Sequence, residues 1–429
     1  MKRLLKFIVA NTLALLTGLI VRKYKPVIVM VTGSVGKTST KDAVAAALSS
    51  TLFVRGSEKS YNSEFGVPLT IIGAKNGWSS VFGWLRVFKE GLALLLLPNH
   101  YPKVLVLEVG ADRPGDLART LRSVTPDVVV VTRLPDVPVH VEAYASPAAL
   151  REEEFAPAYA LPPGCPLIVS ADDPYAIEMA SRLEASLTTY GTSGEASVRI
   201  VGPELLTGEG GRPIGMSASL QVGKEHETLQ VVGALGVQQL FPAAAAVAAA
   251  LALGVSTADA LKGLTEYVPP PGRTKLLEGK LGAVLIDDSY NASPAAVEEG
   301  LKALSLVHAK RRIAILADMM ELGRYSVEQH EHIGTLAAAA ADIVVAVGVR
   351  SRALAASARE AGLSEDSVLL FDTAAAAAGT LKALVGAGDA VLIKGSQSMR
   401  MERVVEVLLA DPLDTSKLVR QERGWKRKN

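Results

Sequence analysis

The sequence predicts an α/β fold built from two open sheets. From residue 26 onward, apolar β-branched runs alternate with alanine- and leucine-rich stretches, which favours parallel strands joined by crossover helices. A glycine-rich turn at residues 32–39 lies between the first such run and the first helical stretch. A Pro-Pro-Pro-Gly run at residues 269–272 interrupts the alternation, which then resumes, so we expect it to link two domains.

The first domain, bounded at residues 26–268, is predicted to contain a mainly parallel sheet and a small antiparallel section. Shorter alternating runs with turn signals over residues 197–232 indicate the antiparallel section. Residues 243–253 are nearly all alanine, which predicts a helix that packs closely against a sheet. The runs typical of parallel strands are residues 27–31, 104–109, 128–132 and 167–170, and the first helix is predicted at 41–48.

The second domain, bounded at residues 273–415, is predicted to be a Rossmann-like open sheet. Ligands of such a sheet bind at the carboxyl ends of its strands. The polar and basic residues 416–429 are predicted to form a solvated tail. The predicted strands are residues 283–287, 312–316, 343–347, 368–371 and 390–393, with helices at 294–304, 327–339 and 373–385.

Residues 1–25 form an apolar segment with three possible roles. Its stretch 4–21 is apolar nearly all round, is flanked by basic residues, and would span roughly 27 Å as a helix, just short of a bilayer core. It is interpreted as a membrane contact, as a helix packed on the protein's own surface, or as an oligomer contact. Because no small-residue cleavage site follows, a secretory signal is not expected. We expect a cytoplasmic protein, at the inner face of the membrane if this segment contacts lipid.

The composition argues against several classes of protein. Hydrophobic residues make up 49% of the 429 residues, so the chain is not disordered. A single cysteine, Cys165, excludes a disulfide framework within the chain and fits a reducing compartment. The net charge of +1 gives no support to a nucleic-acid-binding protein.

Residues 32–39 predict a phosphate-binding loop. A strand, a glycine-rich turn, Lys-Thr and a helix let backbone N–H groups and the positive end of the helix dipole approach phosphate oxygens. Lys37 would contact the terminal phosphates and Thr38 a magnesium ion. The first and last glycines are separated by two residues rather than the four of the usual Walker A motif. We therefore expect ATP and Mg²⁺ here, with ATP contacts from Gly33, Ser34, Val35, Gly36, Lys37, Thr38 and Ser39.

Carboxylates and histidines follow other predicted strands. Glu108 ends a buried apolar run near the loop, where a carboxylate is well placed to hold Mg²⁺. His140 and Glu142 are predicted to lie on one face of an extended segment, where they could hold a second cation or orient a substrate carboxylate. The polar groups beyond strands of the second sheet are residues 287–294, Asp318, Glu321, His330 and Lys394.

Taken in order, these segments resemble the Mur ligase family. The resemblance implies ATP-dependent amide-bond formation in cell-wall precursor synthesis, through an acyl phosphate. The motifs Asp-Asp-Ser-Tyr-Asn-Ala-Ser-Pro and Asp-Met-Met-Glu-Leu-Gly are similar to those of the MurF branch, which adds D-alanyl-D-alanine to a UDP-MurNAc-tripeptide. The matching segments are residues 32–39, 108–115, 171–174, 287–294, 318–323 and 394–396.

The resemblance also implies roles for the site residues. Arg273 and Asp288 would be the second domain's contribution to the nucleotide site. Closure of the two domains would exclude water from the acyl phosphate. The residues implied to bind phosphates and metal are Lys37, Thr38, Glu108 and, as a second Mg²⁺ ligand, His140. Those implied to face the nucleotide or the incoming amine are Asn291, His330 and Lys394.

The chain departs from the family pattern at three places. The family normally begins with a domain that holds the UDP end of the substrate, and only the short apolar segment precedes the phosphate loop here. Many members carry a carbamylated lysine near magnesium, and residues 151–154 contain none. There Glu154 or a neighbour would supply the carboxylate, unless these glutamates form a solvated helix face. Gln238 and Gln239 stand where the family has asparagines near the nucleotide base.

Because of these departures, two alternative functions stay open. The chain could ligate a different acid, such as a lipid-linked or amidated precursor, or it could be a partner-dependent subunit that binds ATP. In the leading hypothesis its partners are small molecules, namely a peptidoglycan precursor acid and an amino acid or dipeptide. The oligomeric state is left open.

Overall fold

The protein folds around two sheets that follow one another along the chain. Its structure, a computed structural model, describes residues 2–58, 64–77 and 80–426, with backbone alone for residues 2–7, 423 and 426. Within these residues, segments from 27 to 232 form a nine-stranded sheet and segments from 275 to 394 form a six-stranded sheet. The predicted α/β class with two mainly parallel sheets is confirmed.

The first sheet carries its parallel strands at one side and its antiparallel strands at the other. Its strands are β1 (Val27–Thr32), β2 (Val54–Gly56), β3 (Val104–Glu108), β4 (Val128–Val131), β5 (Pro166–Ser170), β6 (Ser186–Gly191), β7 (Val198–Thr207), β8 (Pro213–Val222) and β9 (Glu225–Val232). They lie in the order β2-β3-β1-β4-β5-β6-β7-β8-β9. The pairs β7–β8 and β8–β9 are antiparallel and the others parallel, which confirms the predicted antiparallel section. β1 is flanked by β3 and β4, so the loops after these three strands meet at one edge.

Helices cover both faces of this sheet. They are α1 (Lys2–Tyr24), α2 (Lys37–Ser49), α3 (Gly66–Ile72), α4 (Val81–Leu96), α5 (Asp116–Leu121), α6 (Pro147–Tyr159), α7 (Pro174–Ala180), α8 (Leu240–Ala252) and α9 (Thr257–Leu264). The alanine-rich α8 packs against α2, with residues 243–250 almost entirely removed from solvent. Small side chains let helix and sheet approach closely, which fixes α2 behind the phosphate loop.

The second sheet has five parallel strands and one antiparallel edge strand. Its strands are β10 (Lys275–Glu278), β11 (Val284–Asp288), β12 (Arg311–Ala317), β13 (Ile343–Val347), β14 (Val368–Phe371) and β15 (Asp389–Lys394), in the order β10-β11-β15-β12-β13-β14. Its helices are α10 (Pro294–Ser305), α11 (Ser326–Ala340), α12 (Ser351–Glu360), α13 (Ala374–Leu384) and α14 (Glu402–Leu408), and a short α15 (Arg423–Lys426) follows. β11 and β15 are neighbours, so Asp288 and Lys394 end adjacent strands in register.

The position of α2 also depends on close contact with α9 at Gly263. A Cβ added at this glycine would press against the backbone carbonyls of Ala46 and Ala47. We expect Gly263→Ala to lower the free energy of unfolding by about 1–3 kcal/mol, because an overpacked backbone contact has to be pushed apart. Urea denaturation would measure the change.

The matched control is Gly379→Ala in α13, where an added Cβ meets nothing within 4 Å. Alanine is the better helix former by about 1 kcal/mol, so this variant should be neutral or more stable. Equal effects of the two substitutions would contradict the packing argument.

The N-terminal segment forms α1, which packs on the protein itself. Its side chains Val9, Leu13 and Ile20 are buried in the core between α3, α4 and the first sheet. The interpretation as a helix packed on the protein's own surface therefore holds for the inner face of α1, and the interpretations as a membrane contact or an oligomer contact concern its outer face and stay predictions. Among the described residues, no helix is both long and apolar enough to cross a membrane.

The predicted solvated tail, residues 416–429, is wrong for residues 418–420. Leu418 and Val419 are buried, and Arg420 forms an ion pair of 2.9 Å between its Nη1 and Oε2 of Glu402. Arg420 also donates to the backbone carbonyls of Ser289 and Tyr290. The charge of residues 416–429 suggested solvent, but a complementary buried carboxylate binds this arginine. Residues 427–429 lie outside the described residues.

Candidate nucleotide and ligation site

The phosphate loop joins β1 to α2 with a backbone that requires glycine. Gly33 has φ +120° and Gly36 φ +92°, both in the region that side chains disfavour. A Cβ at Gly33 would collide with Oγ1 of Thr132 on the neighbouring strand end. The loop is held from that side by the carbonyl of Arg133, which accepts from the N–H groups of Ser34 and Val35. α2 begins at Lys37, four residues earlier than predicted, so its N-terminus faces the cleft.

Lys37 lies across its own loop. Its Nζ donates to the backbone carbonyls of Gly33 and, at 3.2 Å, of Ser34. Thr38, the next residue, directs its Oγ1 to Oε1 of Glu108 at 3.1 Å. A cation and a hydroxyl thus stand side by side at the helix N-terminus, the arrangement that binds terminal phosphates and a hydrated divalent ion.

Glu108 ends β3 as a buried carboxylate with spare bonding capacity. Its side chain is only 2% exposed, and its Oε2 has no hydrogen-bond partner among the residues that the structure describes. Burial raises the pKa of Glu108, while the charges of Lys37 and Lys41 oppose that shift. A buried, unpartnered carboxylate oxygen beside a threonine hydroxyl fits a divalent cation, because Mg²⁺ is bound through one or two carboxylates plus phosphate oxygens. Among the described side chains, no group of three His, Cys, Asp or Glu residues forms a complete metal cluster.

The three glutamates of α6 have three different positions. Glu154 is buried, and its Oε2 accepts from the Ser34 hydroxyl of the phosphate loop. Glu153 accepts from the backbone N–H groups of Gly115 and Leu117, both at 3.0 Å, at the start of α5. Glu152 accepts from the Tyr159 hydroxyl at the surface. A solvated acidic face is therefore the wrong description of Glu154, which faces the loop.

His140 is not in the extended segment that the sequence predicted. It has φ +70° and precedes a short 3-10 turn, Val141–Ala143, so it does not share a face with Glu142. Its Nδ1 lies 2.6 Å from Oε2 of Glu321, which belongs to the loop after β12, and its Nε2 lies 3.6 Å from Asp112. The predicted extended segment is wrong because the backbone turns at His140. The contact joins the loops of the two sheets.

The acid–base balance of this contact predicts its pH dependence. Burial alone would lower the pKa of His140, but the hydrogen bond and charge of Glu321, with the charge of Asp112, outweigh it and raise that pKa. The hydrogen bond from His140 lowers the pKa of Glu321. The stabilisation from His140 is thus complete below its ordinary pKa and is lost as the pH rises through the raised value. That from Glu321 is lost only as the pH falls through the lowered value.

We expect an NMR titration of the histidine rings to give His140 a pKa above the ordinary value of about 6.5. The variant Glu321→Gln should bring it back toward that value, because it removes the charged partner. A His140 pKa that is the same in both proteins would show that the contact is absent in solution.

The opposite wall of the cleft comes from the second sheet. Lys394 is buried, and its Nζ lies 2.6 Å from Oδ2 of Asp288 and 3.0 Å from the carbonyl of Asn291. Burial lowers the pKa of Lys394 and raises that of Asp288, and each charge opposes the shift of the other. Asp288 Oδ1 accepts from the N–H of Thr274, and the Arg273 guanidinium stacks on the Tyr290 ring at 4.0 Å. Asn291 itself accepts from the N–H of Gln397.

The buried pair predicts a stability effect. We expect Asp288→Asn to lower the free energy of unfolding by about 3–5 kcal/mol, because it leaves the Lys394 ammonium buried without its counter-charge. Urea denaturation would measure this. The double variant Asp288→Asn with Lys394→Met should recover part of the loss, and a double variant less stable than the single one would contradict the pairing argument.

The two walls enclose a cavity of about 370 Å³. Val35, Gly36 and Ser39 line it from the phosphate loop, and Arg273, Asp288 and Lys394 line it from the other side. Gln238 and Gln239 also line it, and Gln239 Nε2 donates to Oγ1 of Thr274 at 2.8 Å. This contact ties the residue pair that departs from the family pattern to the wall that carries Arg273.

The structure adds contacts that the sequence did not indicate. Nη1 of Arg133 lies 3.0 Å from Oε1 of Glu299 on α10, which forms a second bridge between the two walls. Asp172 accepts from the N–H and hydroxyl of Thr192 and lines the cavity. Charged residues at loop starts are common, so only the strand-end position of Arg133 could have singled it out.

His330 occupies a different place from the one expected. It is fully buried, its Nε2 accepts from the N–H of Met319, and its Nδ1 lies 2.6 Å from the carbonyl of Ser326. Burial lowers its pKa. Both ring nitrogens bond to backbone, and the ring is not among the residues that line the cavity. His330 is thus turned away from the cavity, where a contact with nucleotide or amine was predicted, and its ring holds the start of α11 against the loop after β12.

Comparison with known proteins places this geometry in a family. Residues 89–250 match the Mur ligase middle domain, and residues 272–397 match the domain described as Mur ligase, glutamate ligase domain. Relatives named UDP-N-acetylmuramoyl-tripeptide--D-alanyl-D-alanine ligase include those of Mycobacterium leprae and Escherichia coli. The former is 29% identical, with 90% of this chain and 74% of the relative covered. The latter is 28% identical, with 89% and 76% covered.

Solved structures agree with this assignment. The MurF ligase of Thermotoga maritima, solved in complex with ADP, has a TM-score of 0.76 and 25% identity, with 95% of this chain and 84% of that chain covered. A MurF from Acinetobacter baumannii, 24% identical with a TM-score of 0.74 and coverage of 92% and 79%, shares the fold. The chain therefore belongs to the Mur ligase family, a family of ATP-dependent ligases.

Proposed function

We propose that the chain uses ATP to join D-alanyl-D-alanine to a UDP-MurNAc-tripeptide through an acyl phosphate. The observation that carries this proposal is the cavity enclosed between the phosphate loop and the wall of Arg273, Asp288 and Lys394. Arg133 lines this cavity from the side of the first sheet and Arg273 lines it from the other side, so cations on both walls could meet a polyphosphate. Relatives that are matched over 74% and 76% of their length carry this activity in their names. Because ATP is consumed, we assign the reaction to the cytoplasm.

The phosphate loop would hold the β- and γ-phosphates of ATP. Gly33, Ser34, Val35 and Gly36 supply the backbone turn, the helix N-terminus at residues 37–39 adds its dipole, and Lys37 would leave its loop carbonyls for the γ-phosphate. Arg273 lines the opposite side of the cavity, where its guanidinium would stabilise negative charge on the phosphates. The base would lie toward Val237 and Phe241, which line the same cavity.

Thr38 and Glu108 would hold Mg²⁺, with the remaining positions filled by phosphate oxygens and water. When bound, this ion neutralises charge on the transferred phosphoryl group. The unpartnered Oε2 of Glu108 is the structural support for the assignment. His140 already pairs with Glu321 in the structure. We therefore propose that it joins the two walls and is not a primary ligand of the metal.

The reaction needs positioning more than covalent help from the protein. A carboxylate oxygen of the acid attacks the γ-phosphorus, the bond to ADP breaks, and an acyl phosphate forms. The amine of the dipeptide then attacks the acyl carbon, and phosphate leaves as the amine loses its proton. The bridges Arg133–Glu299 and His140–Glu321 would keep the walls together while the acyl phosphate exists, which limits its hydrolysis.

Glu154 would take the place of the family's carbamylated lysine. It is the one glutamate of residues 152–154 that contacts the phosphate loop. Its carboxylate lies near enough to Lys37 and His140 for their charges to oppose the rise that burial causes in its pKa. We propose that it fixes Ser34 and balances the charge of Lys37 without carbon dioxide.

The first test is phosphate release from ATP and Mg²⁺ with UDP-MurNAc-tripeptide and D-alanyl-D-alanine, followed by product mass. A product that carries the dipeptide, formed with one phosphate per bond, is expected. Reactions that lack the acid or the dipeptide are the controls. ADP binding without product would reject this acid and favour a different one or a required partner, and absence of nucleotide binding would reject the ligase assignment itself.

A further inference from the structure

Exposed apolar side chains concentrate on two helices of the first domain, away from the cavity. Of the 21 large apolar side chains exposed among the described residues, eight lie on α1 and α4 and a ninth, Leu97, directly follows α4. On α4 they are Val81, Phe82, Leu85, Leu92 and Leu96, and Phe82 and Leu96 are 83% and 78% exposed. Soluble surfaces carry single apolar residues, but a concentration of this kind indicates a contact surface.

The two helices present these residues to the same side. α1 and α4 bury Leu13 and Val87 in one core cluster with the same face of the first sheet, so their outer faces point away from that sheet together. Lys23 near the end of α1 donates to the carbonyls of Leu94 and Leu95 near the end of α4, at 2.7 and 2.9 Å. The two helices therefore contact each other, and their C-terminal ends are held together. We call their outer surface the α1–α4 face.

On α1, Ile8, Leu15 and Leu19 extend the apolar part of the α1–α4 face. The three recur at helical spacing along one side, opposite the buried Leu13 and Ile20. The apolar strip thus runs along both helices rather than forming a single exposed end.

The charged residues of these two helices are almost all basic. α1 contains five basic residues and no acidic one, and α4 contains two basic residues and one acidic. Their combined charge is +6, in a chain whose net charge is +1. Among the described contacts, Glu90 pairs with Arg86, while Arg22 and Lys89 form no ion pair. An apolar strip bordered by unpaired cations complements a surface that is apolar inside and anionic outside.

We propose that the α1–α4 face docks on the surface of an anionic lipid bilayer. The helices would lie in the plane of the interface, because no helix among the described residues is long and apolar enough to cross it. Phe82, Leu85 and Leu96 would enter the acyl boundary, and Arg22 and Lys89 would meet lipid phosphates. This inference is independent of which acid the enzyme ligates.

The test is co-sedimentation of the full-length protein with vesicles of phosphatidylcholine alone or mixed with phosphatidylglycerol. We expect strong binding to the anionic vesicles, much weaker binding to the neutral ones, and loss of binding at high salt. Phe82→Ser with Leu96→Ser should lower the partition coefficient about tenfold or more. Arg22→Glu with Lys89→Glu should abolish the preference for anionic vesicles.

The matched control is Val327→Ser with Leu413→Ser, two exposed apolar residues elsewhere, at 61% and 81% exposure, that should leave binding unchanged. Thermal unfolding of each variant shows whether it is folded. We expect all of them to fold, because the substituted side chains are exposed. Equal binding by all variants, or none to either vesicle, would overturn the proposal.

Sedimentation velocity without lipid tests whether the α1–α4 face instead joins two copies of the chain. A dimer that Phe82→Ser with Leu96→Ser dissociates, without vesicle binding, would make this face an interface between copies and overturn docking on lipid.

Discussion

We expect Lys37→Met to lower kcat/KM for phosphate release about a thousandfold. Lys37 is the cation of the phosphate loop, its Nζ lies on the loop carbonyls, and Thr38 beside it contacts Glu108. Removing a preorganised charge that meets developing negative charge in a partly buried site costs two to three orders of magnitude, about 3–4 kcal/mol. Methionine keeps the length and the apolar part of the side chain, so the fold should persist.

Steady-state kinetics with ATP, acid and dipeptide would measure the effect, with ADP affinity measured separately by calorimetry. Lys262→Met, on the exposed side of α9, is the matched control and should leave both unchanged. A Lys37→Met protein that is folded and nearly as active as the wild type would remove the phosphate loop from the mechanism. A loss of ADP affinity alone, with normal turnover at saturating ATP, would give Lys37 a role in binding but not in the reaction.

The fold was predictable because its main signals are local. The runs at residues 343–347 and 368–371 coincide with β13 and β14, since each strand is an uninterrupted apolar run bounded by polar or turn residues. The loop of Gly33 and Gly36 was predictable for the same reason, because strand, turn and helix follow one another in sequence. Glu108 and Thr38 then meet because β1 and β3 are parallel neighbours.

Other features depend on contacts between distant parts of the chain. No sequence signal near His140 indicates that Glu321, from the other sheet, is its partner. The turn at His140 also made the prediction of an extended segment wrong. The burial of His330 followed from backbone groups that its helix happens to meet. Arg420 was assigned to a solvated tail because its partner Glu402 lies on α14, and only the folded chain brings them together.

Glu154 illustrates how structure decides between alternatives that sequence leaves open. From the sequence, any one of three adjacent glutamates could replace the family's carbamylated lysine, or all three could form a solvated helix face. A helix points successive side chains in different directions, about 100° apart, so adjacent residues contact different partners. Glu152 meets Tyr159 at the surface, Glu153 meets backbone N–H groups at the start of α5, and Glu154 meets Ser34. Only the last contact reaches the phosphate loop.

We expect Glu154→Gln to lower kcat about a hundredfold or more while the protein stays folded. Glutamine can still accept from the Ser34 hydroxyl, but it lacks the charge that balances Lys37 in a buried site. Removing a buried carboxylate also removes its desolvation cost, so the free energy of unfolding should stay level or rise. A role that is only structural would lower stability and activity together.

The neighbouring glutamates supply the controls. Glu152→Gln should be indistinguishable from the wild type. Glu153→Gln should lower the free energy of unfolding by about 1 kcal/mol with little change in kcat, because the charge of Glu153 stabilises the N-terminus of α5.

The pH profile of activity gives a second readout. Burial raises the pKa of Glu154, so the wild type should lose activity on acidification at a higher pH than an ordinary glutamate would give. That acid limb should be absent from Glu154→Gln. Full activity in all three glutamine variants would mean that no carboxylate on α6 replaces the family's carbamate, and the charge of Lys37 would then have to be balanced by the substrates alone.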